Sequence, residues 1–383
     1  MPRVQIQPQL INWACERSGL EMSVLTSRFP RLEEWKSGQL QPTLKQVEDL
    51  ARATLTPIGW LFLPKPPTEP LPVPDFRTVG DRPVKRPSAA LLETIYAMQR
   101  RQEWLRDHLV EDGEEPVPFV GSVTLSTSPT HAATVIRETL GIVDGWAEEH
   151  STWEGALLGL RRASEAVGII VVINGIVGNN THQALDPAEF RGFVLCDSYA
   201  PLIFINGADA KSAQMFTLAH EIAHLWLGKD GVFNLPNLQA SSDAVETFCN
   251  RVAAEVLIPS VELLRCWPEE KSKAEPFQAL ARRFKVSPLV AARRVLDSGL
   301  IERAVFLRFL KEYEEDERRK AAKKSSGGDF YKTQETRIGR RFGLAVIRAA
   351  REGRLLYRDA YRLTGLSAKT FDQYAEGLGI KAS

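Results

Sequence analysis

The 383-residue chain has few cysteines and no long apolar run, and both absences exclude classes of protein. The four cysteines show no close pairing and no CxxC spacing, which excludes a disulfide framework and a cysteine-rich zinc motif; they are Cys15, Cys196, Cys249 and Cys266. No apolar segment reaches the roughly 20 residues of a membrane-spanning helix, and the sequence does not open on a basic-then-apolar signal. We therefore expect a cytoplasmic protein without a membrane partner.

The chain also lacks an excess of charge of either sign. Lys and Arg number 49 and Asp and Glu 48, so the net charge is +1 and no overall basic field attracts nucleic acid. Any such binding must come from a local patch. The hydrophobic fraction of 44% is ordinary for a globular protein, and the length allows two or three domains with a sizeable core.

The most informative pattern is His220-Glu221-Ile-Ala-His224. On a helix the two histidines lie one turn apart, so both imidazoles can bind one ion, and Glu221 can reach a water on that ion. So short a pattern also arises by chance, and a histidine on a half-apolar helix is usually structural. Residues 216–228 are apolar nearly all round, however, which predicts a buried helix whose polar residues need a partner. A metal ion supplies that partner.

A catalytic zinc ion usually has three protein ligands, and the third is expected downstream. Residues 243–259 predict a second helix that ends at Pro259. Glu246 lies there among small and apolar neighbours, one turn from Asn250, and we favour it as the third ligand. Glu255 is the alternative ligand; otherwise it lies at the surface or supports the ligands. Asn250 is a candidate supporting residue.

These segments resemble the ImmA/IrrE family of metallopeptidases. The similarity runs through residues 201–206, 216–224, 246–250 and 253–259. The departures from the family's pattern are minor. Cys249 and Val252 stand where the family usually has Ala and Phe, and Ile258 stands where it often has Met.

The resemblance implies specific roles for the candidate residues. In the family, the two histidines and the downstream glutamate bind Zn²⁺, which assigns the metal to His220, His224 and Glu246. The glutamate between the histidines is the general base, which corresponds to Glu221. Tyr199 is a further candidate as an oxyanion donor across the cleft, although a lone tyrosine is more often part of a core or a surface.

Residues 1–67 predict a small all-α module. Short helices are expected at 8–18, 21–28, 32–37, 44–53 and 58–61, separated by Gly- and Pro-containing turns. Through residues 32–38 and 42–51 the module resembles the phage-repressor-like (Xre) helix-turn-helix class. The recognition helix would cover residues 31–37.

The charges on that helix leave two interpretations of the module open. Arg28, Arg31 and Lys36 are the cationic candidates for DNA contacts. Glu33 and Glu34 would face phosphates unfavourably. The module therefore either binds DNA weakly or has kept the fold as a docking module and lost DNA binding.

Residues 68–118 predict a Pro-rich linker followed by a helix at 88–110, with six prolines between positions 64 and 74. Residues 119–310 predict an α+β, zincin-like metallopeptidase core. Helices at 131–140 and 152–167 are expected to pack with strands at 168–173, 192–195 and 202–205.

Two further segments of this core have open interpretations. The long loop 174–187 is expected to line a substrate cleft, with His182 as a cleft residue or, preferably, an exposed one. Basic residues cluster in 279–296, which indicates either a site for an acidic partner or, preferably, a solvated face; they are Arg282, Arg283, Lys285, Arg293 and Arg294.

Residues 311–328 predict a charged and then flexible linker, and residues 329–383 a small helical C-terminal module rich in Lys and Arg. So short a module is marginal alone, so we expect it to dock on a partner chain or on its own peptidase domain. Together with the repressor-like module, this tail resembles the family members that are encoded beside PIN-like ribonuclease toxins.

Two functions therefore compete. The first is a zinc-dependent endopeptidase that cleaves one regulatory protein in a toxin–antitoxin or stress or phage-response setting. The alternative is an antitoxin or transcriptional repressor that binds a toxin partner and DNA with little or no proteolysis.

Overall fold

The computed structural model describes residues 2–69, 87–233, 243–315 and 330–380. Within these ranges seventeen α-helices accompany six short strands, so the predicted α+β class with helical flanking modules is confirmed. The predictions for most of the Pro-rich linker, residues 70–86, and for the flexible linker, residues 316–329, lie outside the described residues.

The N-terminal module has a small apolar core of its own. Its helices are α1 Pro8–Ser18, α2 Met22–Arg28, α3 Leu32–Lys36 and α4 Leu44–Ala53, followed by a 3-10 turn at Ile58–Phe62. The core is built from side chains of every helix, among them Leu10, Leu25, Trp35 and Leu50. Thr43 and Gln46 form a reciprocal capping box at the start of α4, as their spacing in the sequence permits.

The remaining helices surround one sheet. They are α5 Ala89–Glu111, α6 Pro129–Leu140, α7 Trp153–Ala166, α8 Lys211–Leu227, α9 Ala244–Leu257, α10 Ser260–Glu270, α11 Pro276–Phe284, α12 Pro288–Asp297 and α13 Arg303–Glu315. The C-terminal module adds α14 Phe330–Ile338, α15 Arg340–Arg351, α16 Tyr357–Thr364 and α17 Ala368–Gly377. The ends of most helices predicted from sequence agree with these bounds to within about two residues, whereas α8 begins at Lys211, five residues before the predicted segment 216–228.

The six strands form one sheet and one hairpin. The strands are β1 Ile170–Asn174, β2 Ile176–Val177, β3 Asn180–Ala184, β4 Gly192–Leu195, β5 Leu202–Asn206 and β6 Gly231–Phe233. The four-stranded sheet has the order β1-β5-β4-β6; β1 and β5 are parallel, and the other neighbours are antiparallel. Strands β2 and β3 pair separately, and this hairpin lies within the segment predicted as a loop.

Both faces of the sheet are buried, which explains why its strands are unbroken apolar runs. Side chains alternate along a strand, so neighbours point to opposite faces. On one face Val171, Val194 and Ile203 join the core formed with α6 to α9. On the other, Val172 and Phe204 join the core formed with α5 and the C-terminal module. We call these the inner and the outer face.

The C-terminal module docks on the outer face of its own chain. Phe342 is fully buried, and its ring packs edge-on against Trp104 of α5 with centroids 5.8 Å apart. Arg101 of α5 donates to the carbonyl oxygens of Leu363, at 3.1 Å, and Arg337, at 3.0 Å. Burial lowers the pKa of Arg101 to about 10. The sequence left open whether this module docks on a partner chain or on its own chain. In the structure it packs against the sheet of its own chain.

Across the described ranges, no helix has both the length and the apolar character needed to cross a bilayer.

We predict that Phe342→Ala destabilises the α+β core as well as the C-terminal module. Removing this ring opens a cavity between α5, α15 and the sheet, so the free energy of unfolding should fall by about 3–5 kcal/mol in one cooperative transition. Urea unfolding followed by circular dichroism and tryptophan fluorescence measures this. Leu356→Ala is the control, because this side chain is 65% exposed. If the C-terminal module instead unfolds in a separate transition at lower urea concentration, and the variant affects that transition alone, the module folds independently.

Candidate metal centre

Helix α8 is buried along almost its whole length, including every residue from Gln214 to Leu227. The helix ends at Gly228, whose φ of 66° is in the left-handed region. A Cβ at Gly228 would lie 2.9 Å from the Cα of Gly121, so a side chain does not fit there. The helix that carries the His-Glu pattern is therefore fixed in place by packing on all sides.

Three side chains converge at the middle of α8. The Nε2 atoms of His220 and His224 lie 3.0 Å apart. The Glu246 carboxylate on α9 lies 3.3 Å from each, through Oε2 to His220 and Oε1 to His224. Among the described residues, this is the group of His, Cys, Asp and Glu side chains that can hold a metal ion. Ligands around a tetrahedral zinc ion are roughly 3.3 Å apart, so these donor atoms fit one.

Asn250 orients one of the imidazoles. Its Oδ1 atom lies 3.1 Å from His220 Nδ1, one helical turn beyond Glu246 on α9. With the amide oxygen as acceptor, Nδ1 carries the proton, and the Nε2 lone pair is directed at the position between the three residues. Asn250 therefore has the supporting position that its spacing in the sequence indicated.

The electrostatics of the site favour the ligand forms of these side chains. Burial lowers the pKa of His220, which favours the neutral imidazole. Burial alone would raise the pKa of Glu246, but the two adjacent imidazoles outweigh it and hold that pKa below its ordinary value. Neutral imidazoles and an ionised carboxylate are the species that bind a divalent metal.

Glu221 is fully buried beside this cluster, and neither of its carboxylate oxygens has a hydrogen-bond partner within the described part of the chain. Burial, and then the nearby charge of Glu246, raise its pKa well above the ordinary value. An unpartnered buried carboxyl group is costly. A water or substrate group at the metal position would supply the missing partner.

Two glycines that the sequence analysis did not single out make room for these side chains. A Cβ at Gly192 of β4 would lie 3.2 Å from Glu221 Oε1 and 2.7 Å from Thr217 Cγ2. A Cβ at Gly231 of β6 would lie 3.3 Å from His224 Cε1. A glycine within a predicted strand indicates such a close approach, and that signal could have identified Gly192.

Glu255, the alternative third ligand, has other partners. It is 7% exposed and thus not at the surface. Its carboxylate accepts hydrogen bonds from Ser260 N at 2.9 Å and Ser260 Oγ at 2.8 Å, and it forms an ion pair with Arg294. Its place is in a buried ion pair with Arg294, about two turns further along α9 than Glu246.

The remaining candidates from the peptidase core lie outside the three-residue cluster. Tyr199 is half-buried in the turn between β4 and β5, where its backbone N–H donates to Asp197 Oδ1 at 2.8 Å. His182 is exposed on β3. Val177 and Leu185 of the same segment pack in the outer-face core, on the far side of the sheet from α8. This segment therefore does not line a cleft at the metal centre, because its apolar side chains anchor it elsewhere.

The basic residues of α11 and α12 are largely neutralised within the chain. Arg283 pairs with Glu148 at 2.9 Å and with Glu270 at 3.6 Å. Arg293 pairs with Asp297, Arg294 with Glu255, and the Lys285 ammonium donates to the Arg282 carbonyl. Three of the five basic residues are therefore paired with acids of the chain, whereas Arg282 is exposed.

In the N-terminal module, Arg28 and Arg31 are exposed, whereas Lys36 forms an ion pair with Glu33 at 3.0 Å. Helix α3, which corresponds to the predicted recognition helix, has only five residues.

Comparisons with known proteins locate the peptidase similarity. Residues 167–296 match a peptidase family model described as the IrrE N-terminal-like domain. This match runs from β1 to α12 and includes the metal-centre residues, and it supports the predicted resemblance to the ImmA/IrrE metallopeptidases over about a third of the chain. Residues 338–377 match a model described only as a domain of unknown function. No curated protein matches the chain.

We predict that the purified protein carries about one zinc ion per chain and that Glu246→Ala loses it. Elemental analysis after gel filtration measures the metal content. Glu255→Ala is the matched control: it should keep zinc but lower the free energy of unfolding by about 3–5 kcal/mol, because Arg294 loses its buried partner. Zinc retained by Glu246→Ala and lost by Glu255→Ala would identify Glu255 as the ligand.

We also predict that Asn250→Ala weakens zinc binding about 10- to 100-fold without abolishing it, because the His220 ring loses the acceptor that sets its tautomer. Competition with a chromogenic chelator measures the affinity. Asn250→Asp should retain most of it, since a carboxylate oxygen accepts the same hydrogen bond. Equal losses in both variants would contradict an orienting role.

Proposed function

We propose that this protein is a zinc-dependent endopeptidase that cleaves a specific regulatory protein. The observation that carries the proposal is the Glu221 carboxyl group, which is buried beside His220, His224 and Glu246 with no hydrogen-bond partner among the residues that the structure describes. A structural metal site does not need an unpartnered acid next to its ligands, whereas a hydrolytic site does. The peptidase match over residues 167–296 supports the same conclusion.

His220, His224 and Glu246 would hold the zinc ion. When bound, it would supply a Lewis acid that polarises the scissile carbonyl and makes a water molecule acidic near neutral pH. Glu221 acts as the general base and takes the proton of the attacking water at a carboxylate oxygen. Glu221 then donates that proton to the leaving amine. Asn250 contributes indirectly, by holding the His220 ring in the tautomer that binds the metal.

The depth of the centre restricts the substrate. His220 and Glu221 are fully buried, so a rigid protein surface cannot reach them. A cavity of about 750 Å³ is lined by Phe216, Leu264, Val290 and Asn250, and Asn250 contacts the His220 ring at 3.1 Å. A cavity of this size accepts side chains of an extended peptide. The substrate is therefore a flexible segment of a regulatory protein.

The flanking modules support a regulatory setting, and we propose a toxin–antitoxin or stress or phage-response system. In this proposal the N-terminal module is a docking element that brings the substrate or a toxin partner to the chain. Its short α3 helix and the Lys36–Glu33 ion pair favour docking over DNA recognition.

Tyr199 stays a candidate oxyanion donor, to be tested by Tyr199→Phe.

A binding function without proteolysis is the competing proposal. The peptidase match leaves about two thirds of the chain to other modules, which favours a protein that holds a toxin partner. An intact one-to-one complex with the partner supports this alternative, whereas zinc-dependent cleavage of the partner supports the peptidase.

We predict that Glu221→Gln lowers peptide cleavage by a factor on the order of 10² to 10⁴, because a positioned general base is lost. Zinc content and melting temperature should barely change, since Glu221 is not a ligand and the amide has the same shape. Mass spectrometry of a partner incubated with each protein measures cleavage. Glu269→Gln, at an exposed position on α10, is the matched control.

The same variant separates the two functions in cells. If Glu221→Gln no longer neutralises the toxin or represses its target, proteolysis is the function. If it works as well as the parent, the peptidase proposal fails as the main role, and the chain is a binding protein with a peptidase fold.

A further inference from the structure

The C-terminal helices contain a two-helix unit that the peptidase proposal does not use. Helices α16 and α17 are joined by the three-residue turn 365–367. Gly365 has a φ of 72°, which only glycine adopts readily, and Ser367 forms a capping box with Thr370 at the start of α17. Two short helices joined by a three-residue turn with glycine are typical of a helix-turn-helix unit.

The buried residues of the unit define which sides of its helices face outward. Ala360 and Thr364 of α16 are buried, one turn apart. Phe371, Tyr374 and Ala375 of α17 are buried at the spacing of one helical face. With Phe342 of α15 they form part of the outer-face core. The opposite sides of both helices, including the first turn of α17, are open to solvent.

Those open sides carry cations. Arg362 on α16, Lys369 in the first turn of α17 and Arg348 on α15 are exposed, and the described residues provide none of them with an ion-pair partner. The Arg358 side chain on α16 is 85% exposed and lies 3.6 Å from the carboxylate of its neighbour Asp359. With a net charge of +1, the chain has no general attraction for polyanions, so any such attraction must come from local cations such as these.

We propose that residues 340–377 are a helix-turn-helix unit that binds duplex DNA. Helix α17 enters the major groove with its N-terminal turn, and the exposed cations of α16 contact phosphates. Asp372, exposed on α17, is an acceptor suited to the amino group of cytosine at a base edge. The β2–β3 hairpin steadies the turn, because Asn179 Nδ2 donates to the Gly365 carbonyl at 2.8 Å.

The two helix-turn-helix-like units of the chain differ in the length and the charges of the helix that would enter the major groove. In the N-terminal module α3 has five residues, exposes Glu33 and Glu34, and pairs Lys36 internally. In the C-terminal module α17 has ten residues and exposes Asp372 and Glu376, but its first-turn Lys369 has no ion-pair partner among the described residues, and α16 exposes Arg358 and Arg362. DNA binding therefore belongs to the C-terminal unit. This inference does not rest on the peptidase proposal, since the unit lies on the outer side of the sheet and the metal centre on the inner side.

The test compares two double charge reversals in the full-length protein. Arg362→Glu with Lys369→Glu alters the C-terminal patch, and Arg28→Glu with Arg31→Glu makes the same change of net charge on the N-terminal module. All four positions are exposed, so both variants should fold, which their melting temperatures check. Binding to a fluorescent mixed-sequence duplex of about 30 base pairs is measured by anisotropy at several salt concentrations.

We expect the parent to bind and the C-terminal variant to lose affinity more than tenfold, with the slope of log K against log salt reduced by about two. The N-terminal variant should stay within about twofold of the parent. Three results would overturn the proposal: no binding by the parent at low salt, loss confined to the N-terminal variant, or a C-terminal variant that binds DNA like the parent but loses a protein partner.

Discussion

The burial of helix α8 against the inner face of the sheet is the constraint on which the rest of the structure depends. Every residue from Gln214 to Leu227 is buried, including two imidazoles and a carboxyl group. Isolated polar groups at that depth are strongly destabilising. The neighbouring elements compensate: α9 brings Glu246 to the two histidines, Asn250 accepts from His220, and β4 leaves space at Gly192 for the remaining acid. The resulting group of two histidines and a glutamate could hold a metal ion.

The same burial separates the functional surfaces of the protein. A sheet whose strands are apolar on both faces needs cover on both. The inner cover carries the metal centre, and the outer cover is α5 with the C-terminal helices. The C-terminal module is therefore part of the structural unit that holds α8. A partner bound to its exposed cations and a peptide at the metal centre would occupy opposite sides of one rigid layer.

Charge is arranged locally in this chain. Most of the basic residues of α11 and α12 are used in ion pairs with Glu148, Glu255, Glu270 and Asp297, which stabilise the packing of these helices. Among the described residues, Arg348, Arg362 and Lys369 on α15 to α17 are exposed and have no ion-pair partner. The total charge is nearly neutral, but the cations are not all in the same situation. Most basic residues of α11 and α12 are paired with acids of the chain, whereas exposed cations of α15 to α17 are suited to an acidic partner.

The sequence by itself determined whatever depends on near neighbours along the chain. Helix ends follow from caps and turn residues, and strands follow from apolar runs. The spacing of His220 and His224 places both on one face of a helix. These local features were therefore predicted closely. Only the tertiary structure decided between Glu246 and Glu255, because both lie on α9 and the choice depends on which turn faces α8 and which faces Arg294. It also decided that residues 176–184 form a hairpin against the outer face, that the basic residues of α12 are paired, and that the C-terminal module covers its own sheet. Those outcomes depend on contacts between residues far apart in the chain, and the periodicity of a local pattern carries no information about such contacts.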